Sequence, residues 1–146
     1  MAKRPSSAED LADLQDSLRK AGLRSTTARI AVLRRLRSAN SPLSHAELAD
    51  ELTPHGFDKA TVFRNLNDLA DAGLVVRTEL GDHVWRFEIV NRRHDEPGHH
   101  PHFVCVACGQ VTCLAGVSLP PALKSRSKRI GSVTEILLRG RCRNCE

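Results

Sequence analysis

The sequence predicts an α+β protein in two parts, a helical N-terminal part closed by a β-hairpin and a smaller C-terminal part of strands and one helix. Three observations support this prediction. Apolar residues recur at helical spacing in four segments before Gly73. Two strand-like segments follow, on either side of Gly81. Two C-x-x-C pairs then bracket a last segment long enough for a short helix and a strand.

The first three helices are predicted from their capping residues and from the spacing of their leucines and isoleucines. The first helix starts at Ser7 and stops at Gly22. The second opens at Arg24 and carries further arginines on its outer face. The third begins with a capping box at Ser44 and breaks near Pro54. Each helix is short and amphipathic, so the three must bury their apolar faces against one another.

The fourth helix has an unusual outer face. It runs from Lys59 to about Ala72 with Asp58 as its cap, and its valine and leucines face inward. The residues left on the outer face include an aromatic ring and a cation, Phe63 and Arg64. An exposed phenylalanine is costly as plain surface, but it suits contact with thymine methyl groups in a DNA major groove. A packing role between helices is the alternative for Phe63.

The hairpin after the fourth helix completes the N-terminal part. Strands are predicted at Leu74–Leu80 and His83–Ile89, with Gly81 and Asp82 as a two-residue turn. Helices, a cationic fourth helix and then a hairpin are the element order of a winged helix-turn-helix. A small helical bundle with a hairpin and no DNA partner is the competing interpretation of residues 1–90.

The C-terminal part is predicted to be a small α+β domain that dimerises. Residues 91–101 are polar and contain Pro and Gly, so we expect a hinge there. Residues 102–146 should form strands at Phe103–Val106, Gln110–Leu114 and Val133–Arg139, with a helix from Pro120 to about Ile130. Because this part has few large apolar residues, pairing with a second copy would help to complete its core.

Four of the five cysteines form the two C-x-x-C pairs, Cys105 with Cys108 and Cys142 with Cys145. Each pair places two thiolates on one tight turn, and two such turns together offer four sulfur ligands to Zn²⁺. Two pairs at this spacing predict a structural zinc site. Two disulfides or unreactive core cysteines are the alternative, which we disfavour because nothing in the sequence indicates an oxidising compartment.

Composition sets limits on location and partners. The chain has 146 residues, a net charge of +5 and a pI near 9.3, which permits a polyanionic partner. No apolar run approaches the length of a membrane span, and no apolar segment follows the charged residues at the N-terminus as in a secretory signal. We therefore expect a cytoplasmic protein with no membrane partner.

Taken together, these segments resemble the ferric uptake regulator family of bacterial metal-responsive repressors, from Leu18 to Cys145. The resemblance rests on six motifs in this order: Gly22–Arg29, Ser44–Leu48, Ala60–Leu66, Ala72–Val75, His100–Gly109 and Cys142-x-x-Cys145. It implies a winged-helix DNA-binding domain, a C-terminal dimerisation domain with structural zinc, and a regulatory metal at the hinge between them.

The resemblance also suggests which residues contact DNA. Phe63 and Arg64 match the positions from which the family's recognition helix contacts DNA, although the family usually has tyrosine in place of Phe63. Arg24 matches a basic residue that resembles a minor-groove probe, which narrow A·T tracts attract. Phosphate contacts from arginines would supply salt-sensitive affinity. The candidate DNA contacts are Arg24, Arg29, Thr61, Phe63, Arg64 and Asn67.

At the family's regulatory metal site this sequence departs from the pattern. The five positions are occupied by Pro42, Glu88, His100, His102 and Cys113, so one histidine is lost and an acid is replaced by a thiol. Further histidines near this site could compensate, and they are His83, His94 and His99. Because a thiolate is soft, the remaining set favours zinc, with Fe²⁺ as the alternative metal. A Cys113 that is buried as a small hydrophobic residue on a strand, with no metal role, is the other interpretation.

The function predicted from these residues is a cytoplasmic, homodimeric, metal-responsive repressor that binds double-stranded operator DNA. Its expected cofactors are one structural Zn²⁺ and a second divalent metal at the hinge. An iron-, peroxide- or thiol-redox-responsive regulator on the same scaffold is the main alternative. A zinc hydrolase is remote because the sequence has no H-E-x-x-H motif, so we expect neither an enzyme nor a small-molecule substrate.

Overall fold

The computed structural model describes residues 7–39, 41–90, 100–114, 116–133 and 135–146. Its helices and strands are α1 (Ser7–Lys20), α2 (Thr27–Ser38), β1 (Leu43–Ser44), α3 (His45–Leu52), α4 (Lys59–Asp71), β2 (Val75–Glu79), β3 (Trp85–Ile89), β4 (His102–Cys105), β5 (Val111–Cys113), α5 (Pro121–Ile130) and β6 (Leu137–Gly140). The predicted α+β class is confirmed. In the part of the chain described, no helix is long and apolar enough to span a membrane.

The helices of the N-terminal part pack around one apolar core. The inward faces predicted for α2 and α4 are buried, as Leu33 and Leu66 show with at most 1% exposure. Phe87 of β3 and Val75 of β2 close the same cluster from the sheet side. The members with less than 2% exposure are Leu14, Leu18, Val32, Leu33, Leu48, Val62, Leu66 and Leu69. This core fixes α4 against the sheet and leaves its opposite face to solvent.

Side-chain caps fix where the helices begin. Ser44 forms the predicted capping box, with its hydroxyl accepting from the Glu47 amide at 3.2 Å and its own amide donating to the Glu47 carboxylate at 2.7 Å. Asp58 caps α4 through the Thr61 amide at 2.7 Å. The second helix begins at Thr27 rather than Arg24, because Thr26 is its cap. Arg24 therefore lies in the turn before α2.

The hairpin of β2 and β3, which we call the wing, has a longer turn than predicted. Glu79 pairs with Trp85, so residues 80–84 connect the strands and the predicted two-residue turn is wrong. Leu80 turns inward and is 2% exposed, while the Glu79 carboxylate accepts from the Gly81 and His83 amides at 2.6 and 2.7 Å. These contacts stabilise a wider loop, and His83 adopts a φ of 60° within it.

The C-terminal part contains a three-stranded sheet in the order β5–β4–β6. β4 pairs antiparallel with β5 and parallel with β6, and α5 lies in the connection between β5 and β6. The last strand begins at Leu137, later than the predicted Val133, and no residue of α5 is buried. Exposed apolar side chains remain on this part, including Leu123 and Ile130.

The predicted division into residues 1–90, 91–101 and 102–146 stays a prediction. Residues 91–99 lie outside the described residues, and with them His94 and His99. The two parts do touch directly at the wing. Arg139 of β6 donates from Nη2 to the Leu80 carbonyl at 2.7 Å.

Candidate metal sites and DNA-binding surface

Two groups of metal-ligand side chains converge among the described residues. The four-cysteine cluster consists of Cys105, Cys108, Cys142 and Cys145, and the mixed-donor cluster consists of Glu88, His100, His102 and Cys113. In each cluster the four donor atoms all lie within 4.8 Å of one another. All five cysteines are thiols rather than disulfides.

The four-cysteine cluster has dimensions that fit a tetrahedral zinc ion. The Cys108 and Cys142 sulfurs are 3.8 Å apart. A zinc–sulfur bond of about 2.3 Å requires a sulfur–sulfur edge of about 3.8 Å in a regular tetrahedron. The parallel pairing of β4 with β6 aligns Cys105 with Gly140, which brings the second C-x-x-C turn beside the first. The donor set therefore fits structural zinc without rearrangement of the backbone.

The backbone around Cys105 prepares this cluster for a cation. The Cys105 sulfur accepts from the amides of Cys108 at 3.5 Å and Cys142 at 3.4 Å. These bonds lower the pKa of Cys105 to about 6, so its thiolate forms readily at neutral pH. Hydrogen bonds with Cys142 and Cys108 raise the pKa of Cys145 to about 12. Full deprotonation of the four thiols therefore needs a cation among them.

The mixed-donor cluster is centred on the carboxylate of Glu88. His100 Nε2 donates to Oε1 at 2.7 Å, His102 Nε2 donates to Oε2 at 2.9 Å, and the Cys113 thiol donates to Oε1 at 3.2 Å. The two imidazole centroids are 4.8 Å apart. The structure thus brings together the four residues that the sequence suggested as regulatory ligands.

The fold explains how these four side chains meet. β4 and β5 pair with His102 directly opposite Cys113, and His100 lies two residues before His102 on the same extended stretch. Glu88 is the one donor of this cluster from the N-terminal part, since it lies on β3 of the wing. Pro42 is buried and supplies no donor, and His83 lies in the exposed wing turn outside both clusters.

The chemistry of the mixed-donor cluster fits a divalent cation. Burial opposes the ionisation of Glu88, but hydrogen bonds from His102 and Cys113 and the charges of both histidines hold its pKa below the usual value. His102 is 3% exposed, and its Nδ1 has no hydrogen-bond partner among the described residues. One carboxylate, two imidazoles and one thiol form a mixed O/N/S donor set, which zinc accepts.

The outer face of α4 presents the residues suggested for DNA recognition. Phe63 and Arg64 are exposed, and Thr61 and Asn67 are half-buried. Phe63 is 51% exposed and meets the His45 ring edge-on, with the centroids 5.3 Å apart. His45 Nε2 in turn donates to the Lys59 carbonyl at 2.9 Å. Sequence analysis missed this role of His45, because only the packing of α3 against α4 brings it under Phe63.

The arginines predicted on the outer face of α2 are engaged in ion pairs. They pair with Asp10, Asp13, Glu51 and Asp68, and the arginines involved are Arg29, Arg34, Arg35 and Arg37. The Arg29 side chain is only 17% exposed. Arg24, in the turn before α2, is exposed. Among the residues suggested for DNA binding, the exposed cations are therefore Arg24 and Arg64.

Comparison with known proteins agrees with the fold. The model of the "Ferric uptake regulator family" matches residues 20–134. The peroxide-responsive repressor PerR of Staphylococcus epidermidis is 34% identical over 65% of this chain, which covers 61% of that relative's length. The ferric uptake regulation protein of Shigella flexneri is 34% identical over 69% of this chain and 67% of its own length.

A solved structure agrees over most of the chain. The ferric uptake regulator of Vibrio cholerae, whose structure reveals a rearrangement of its DNA-binding domains, superposes with a TM-score of 0.68 at 30% identity. The match covers 88% of this chain and 98% of the Vibrio protein. The family model, the relatives and this structure agree with the resemblance seen in the motifs. This chain therefore belongs to the ferric uptake regulator family, a family of metal-responsive transcription regulators rather than enzymes.

Proposed function

We propose that this protein represses transcription by binding operator DNA as a homodimer, and that zinc bound by the mixed-donor cluster is its signal. The observation that carries this proposal is the position of Glu88. Its carboxylate belongs to the wing, yet it accepts hydrogen bonds from His100, His102 and Cys113 of the C-terminal part. A ligand held by all four residues would connect the two parts of the chain.

The connection matters because a switch needs a ligand that distinguishes two arrangements of the protein. To move a population from rare to dominant, the ligand must favour one state by about 5.5 kcal/mol. Ligands drawn from one part alone would bind equally well whatever the other part did. Glu88 makes binding depend on where the wing lies relative to β4 and β5. By linkage, DNA would tighten metal binding by the same factor as metal tightens DNA binding.

The donor set supports zinc over iron. When bound, the cation would supply the positive charge that holds a carboxylate, two imidazoles and a thiolate together. The Cys113 thiol is the softest donor of the set, and thiolates favour zinc over Fe²⁺. The four-cysteine cluster would hold a second zinc that stabilises the C-terminal part, where the last strand and both C-x-x-C turns meet.

For DNA, we propose that α4 enters the major groove with Phe63 and Arg64 foremost, and with Thr61 and Asn67 beside them. Arg24 would reach an adjacent narrow minor groove. The exposed face of α4 and the exposed Arg24 support this arrangement. A homodimer would place two such faces on a palindromic site, and the exposed apolar residues of the C-terminal part support self-association.

Elemental analysis of the purified protein tests the metal assignments. We expect two zinc equivalents per monomer in the wild type and one in Cys113→Ser, which should remain a folded dimer by light scattering. Cys142→Ser is the matched control, because it removes a thiol from the other cluster and should lose the structural zinc together with folding of the C-terminal part. One zinc equivalent in the wild type at saturation, or iron displacing zinc under anaerobic competition, would contradict the proposal.

A further inference from the structure

Arg29 lies between the turn that carries Arg24 and the helix α4. Its Nη1 donates to the Arg24 carbonyl at 2.8 Å, and its Nη2 donates to the Asp68 carboxylate at 3.0 Å. Its Nε is buried and has no partner among the described residues. With a side chain only 17% exposed, Arg29 is largely buried and joins the turn that carries Arg24 to Asp68, which lies 39 residues after Arg29 in sequence.

These contacts argue against Arg29 as a direct phosphate ligand. Its charge is already partnered by Asp68, and both terminal nitrogens already donate to protein groups. Each of these two nitrogens keeps a second N–H, but a side chain that is only 17% exposed offers little surface to a phosphate and would have to leave its half-buried position to reach one. Charge-assisted hydrogen bonds of this kind are about twice as strong as neutral ones, so the protein contacts are costly to break.

The Asp68 contact also affects Arg64. Asp68 lies four residues after Arg64 on α4, the spacing at which an arginine and a carboxylate pair on a helix surface. Asp68 instead pairs with Arg29, and in the described part of the chain no ion pair forms on Arg64. Arg29 therefore keeps a nearby carboxylate occupied and leaves the Arg64 guanidinium available to a ligand.

We propose that Arg29 is a positioning residue for DNA binding: it fixes the Arg24 turn against α4 and withholds Asp68 from Arg64. This inference rests on the proposed DNA-binding function. It adds that the minor-groove and major-groove arginines are held in one rigid frame by the Arg24–Arg29–Asp68 chain of contacts. Arg29 contributes to affinity through Arg24 and Arg64 and does not itself touch DNA.

The probe for the test is a DNA duplex selected from a random-sequence pool by the zinc-loaded wild-type protein. Dissociation constants are measured at several salt concentrations for Asp68→Asn, Arg29→Lys and Arg29→Ala. Asp68→Asn removes a negative charge near DNA, yet the proposal predicts roughly tenfold weaker binding, within the coupling measured for contacting residues. Arg29→Lys should weaken binding similarly, since an ammonium cannot bridge both partners, although it would serve equally well as a phosphate ligand.

The salt dependence separates a positioning role from a direct contact. In a background that carries both Arg24→Ala and Arg64→Ala, the two cations through which Arg29 would act are absent, so adding Arg29→Ala should leave the slope of log K against log salt unchanged. A direct phosphate contact would lower that slope by about 1. The thermal unfolding of each variant is also measured, and dissociation constants are compared at a temperature well below every unfolding midpoint. Asp68→Asn, which preserves the size of the side chain, supplies the result if Arg29→Ala does not fold.

Three results would overturn the inference: unchanged or tighter binding by Asp68→Asn, wild-type affinity of Arg29→Lys, or a lower salt slope from Arg29→Ala in the background that carries both Arg24→Ala and Arg64→Ala. Arg64→Ala is the reference variant for the proposed function. If Arg64→Ala weakens binding but the Arg29 and Asp68 variants give any of these three results, the positioning role of Arg29 is wrong and the proposed DNA-binding function stands. If the wild type selects no duplex, the proposed function fails and takes this inference with it.

Discussion

The Phe63 ring on α4 is half-exposed. In the part of the chain described, its one aromatic neighbour is His45. We expect Phe63→Ala to weaken DNA binding roughly tenfold, as loss of an apolar contact with a thymine methyl and its neighbours would. The free energy of unfolding should change little, because the ring is 51% exposed in the protein alone. Fluorescence anisotropy with a labelled duplex and urea denaturation measure the two effects.

Phe87→Ala is the matched control for this prediction. Phe87 is the same residue type but is 2% exposed within the core, so its removal should cost about 3–5 kcal/mol of unfolding free energy. If Phe63→Ala destabilised the protein as Phe87→Ala does, the ring would be a packing residue, which is the alternative that the sequence left open. Full DNA affinity in Phe63→Ala would equally count against a recognition role.

Individual residues differed in how far the sequence could predict them. The four cysteines could be grouped from spacing alone, because a C-x-x-C turn is a local feature. Glu88, His100, His102 and Cys113 could be grouped only by resemblance, since Glu88 lies 25 residues before Cys113. Arg29 was predicted to contact DNA from its place on the outer face of α2, and its contact with Asp68 could not be predicted because the two residues are 39 positions apart and no local pattern connects them.

Helix α3 begins with a complete capping box, in which the side chains of Ser44 and Glu47 each accept a hydrogen bond from the other residue's backbone amide. Ser44→Ala removes the hydroxyl that accepts from the Glu47 amide, and we expect a loss of about 1 kcal/mol in unfolding free energy. Ser38→Ala is the control, because the exposed Ser38 hydroxyl donates to the Arg35 carbonyl at the end of α2 and caps nothing at a helix start. Equal stability of the two variants in urea would refute the capping role.

At the level of elements, the helices were predictable and the strands were less so. Helix ends follow from local signals such as Ser44 and Asp58, and α3 and α4 begin where these caps predict. The short strand β1 escaped prediction because its two residues pair with Phe87 and Arg86 far along the chain. The prediction of a two-residue wing turn was wrong because the burial of Leu80 depends on tertiary contacts that a Gly-Asp pattern does not reveal.

Across the whole molecule, Arg139 joins the C-terminal part to the wing through the Leu80 carbonyl. A side chain at Gly81 would collide with its guanidinium, so the two surfaces fit closely. We expect Arg139→Ala to increase hydrogen exchange of the wing-turn amides while leaving both metal clusters intact. Hydrogen exchange monitored by mass spectrometry, with the exposed Arg143→Ala as control, measures the effect.

The relation between the two parts was the least predictable feature of the molecule. It depends on single contacts, Arg139 with Leu80 and Glu88 with three donors, which no periodicity marks. If exchange in the wing turn were the same in Arg139→Ala and the wild type, this contact would not restrain the wing. The hydrogen bonds of Glu88 with the mixed-donor cluster would still join the wing to the C-terminal part.

Glu88 gives the most direct test of the account, because it is the donor through which the wing joins the mixed-donor cluster. Glu88→Gln preserves the size of the side chain and removes its charge. Glu51→Gln is the matched control, since Glu51 pairs with Arg35 on the surface and belongs to neither cluster. Each protein is first stripped to one zinc equivalent, so that only the structural site stays filled, and zinc is then added back.

The measurement is the dissociation constant for the selected duplex, with and without the added zinc. We predict that zinc tightens binding at least roughly tenfold in the wild type and in Glu51→Gln, within the usual range of coupling between sites. Glu88→Gln should stay dimeric, keep its structural zinc and gain no affinity when zinc is added. A full zinc response in Glu88→Gln would contradict the claim that metal acts by joining the wing to the C-terminal part.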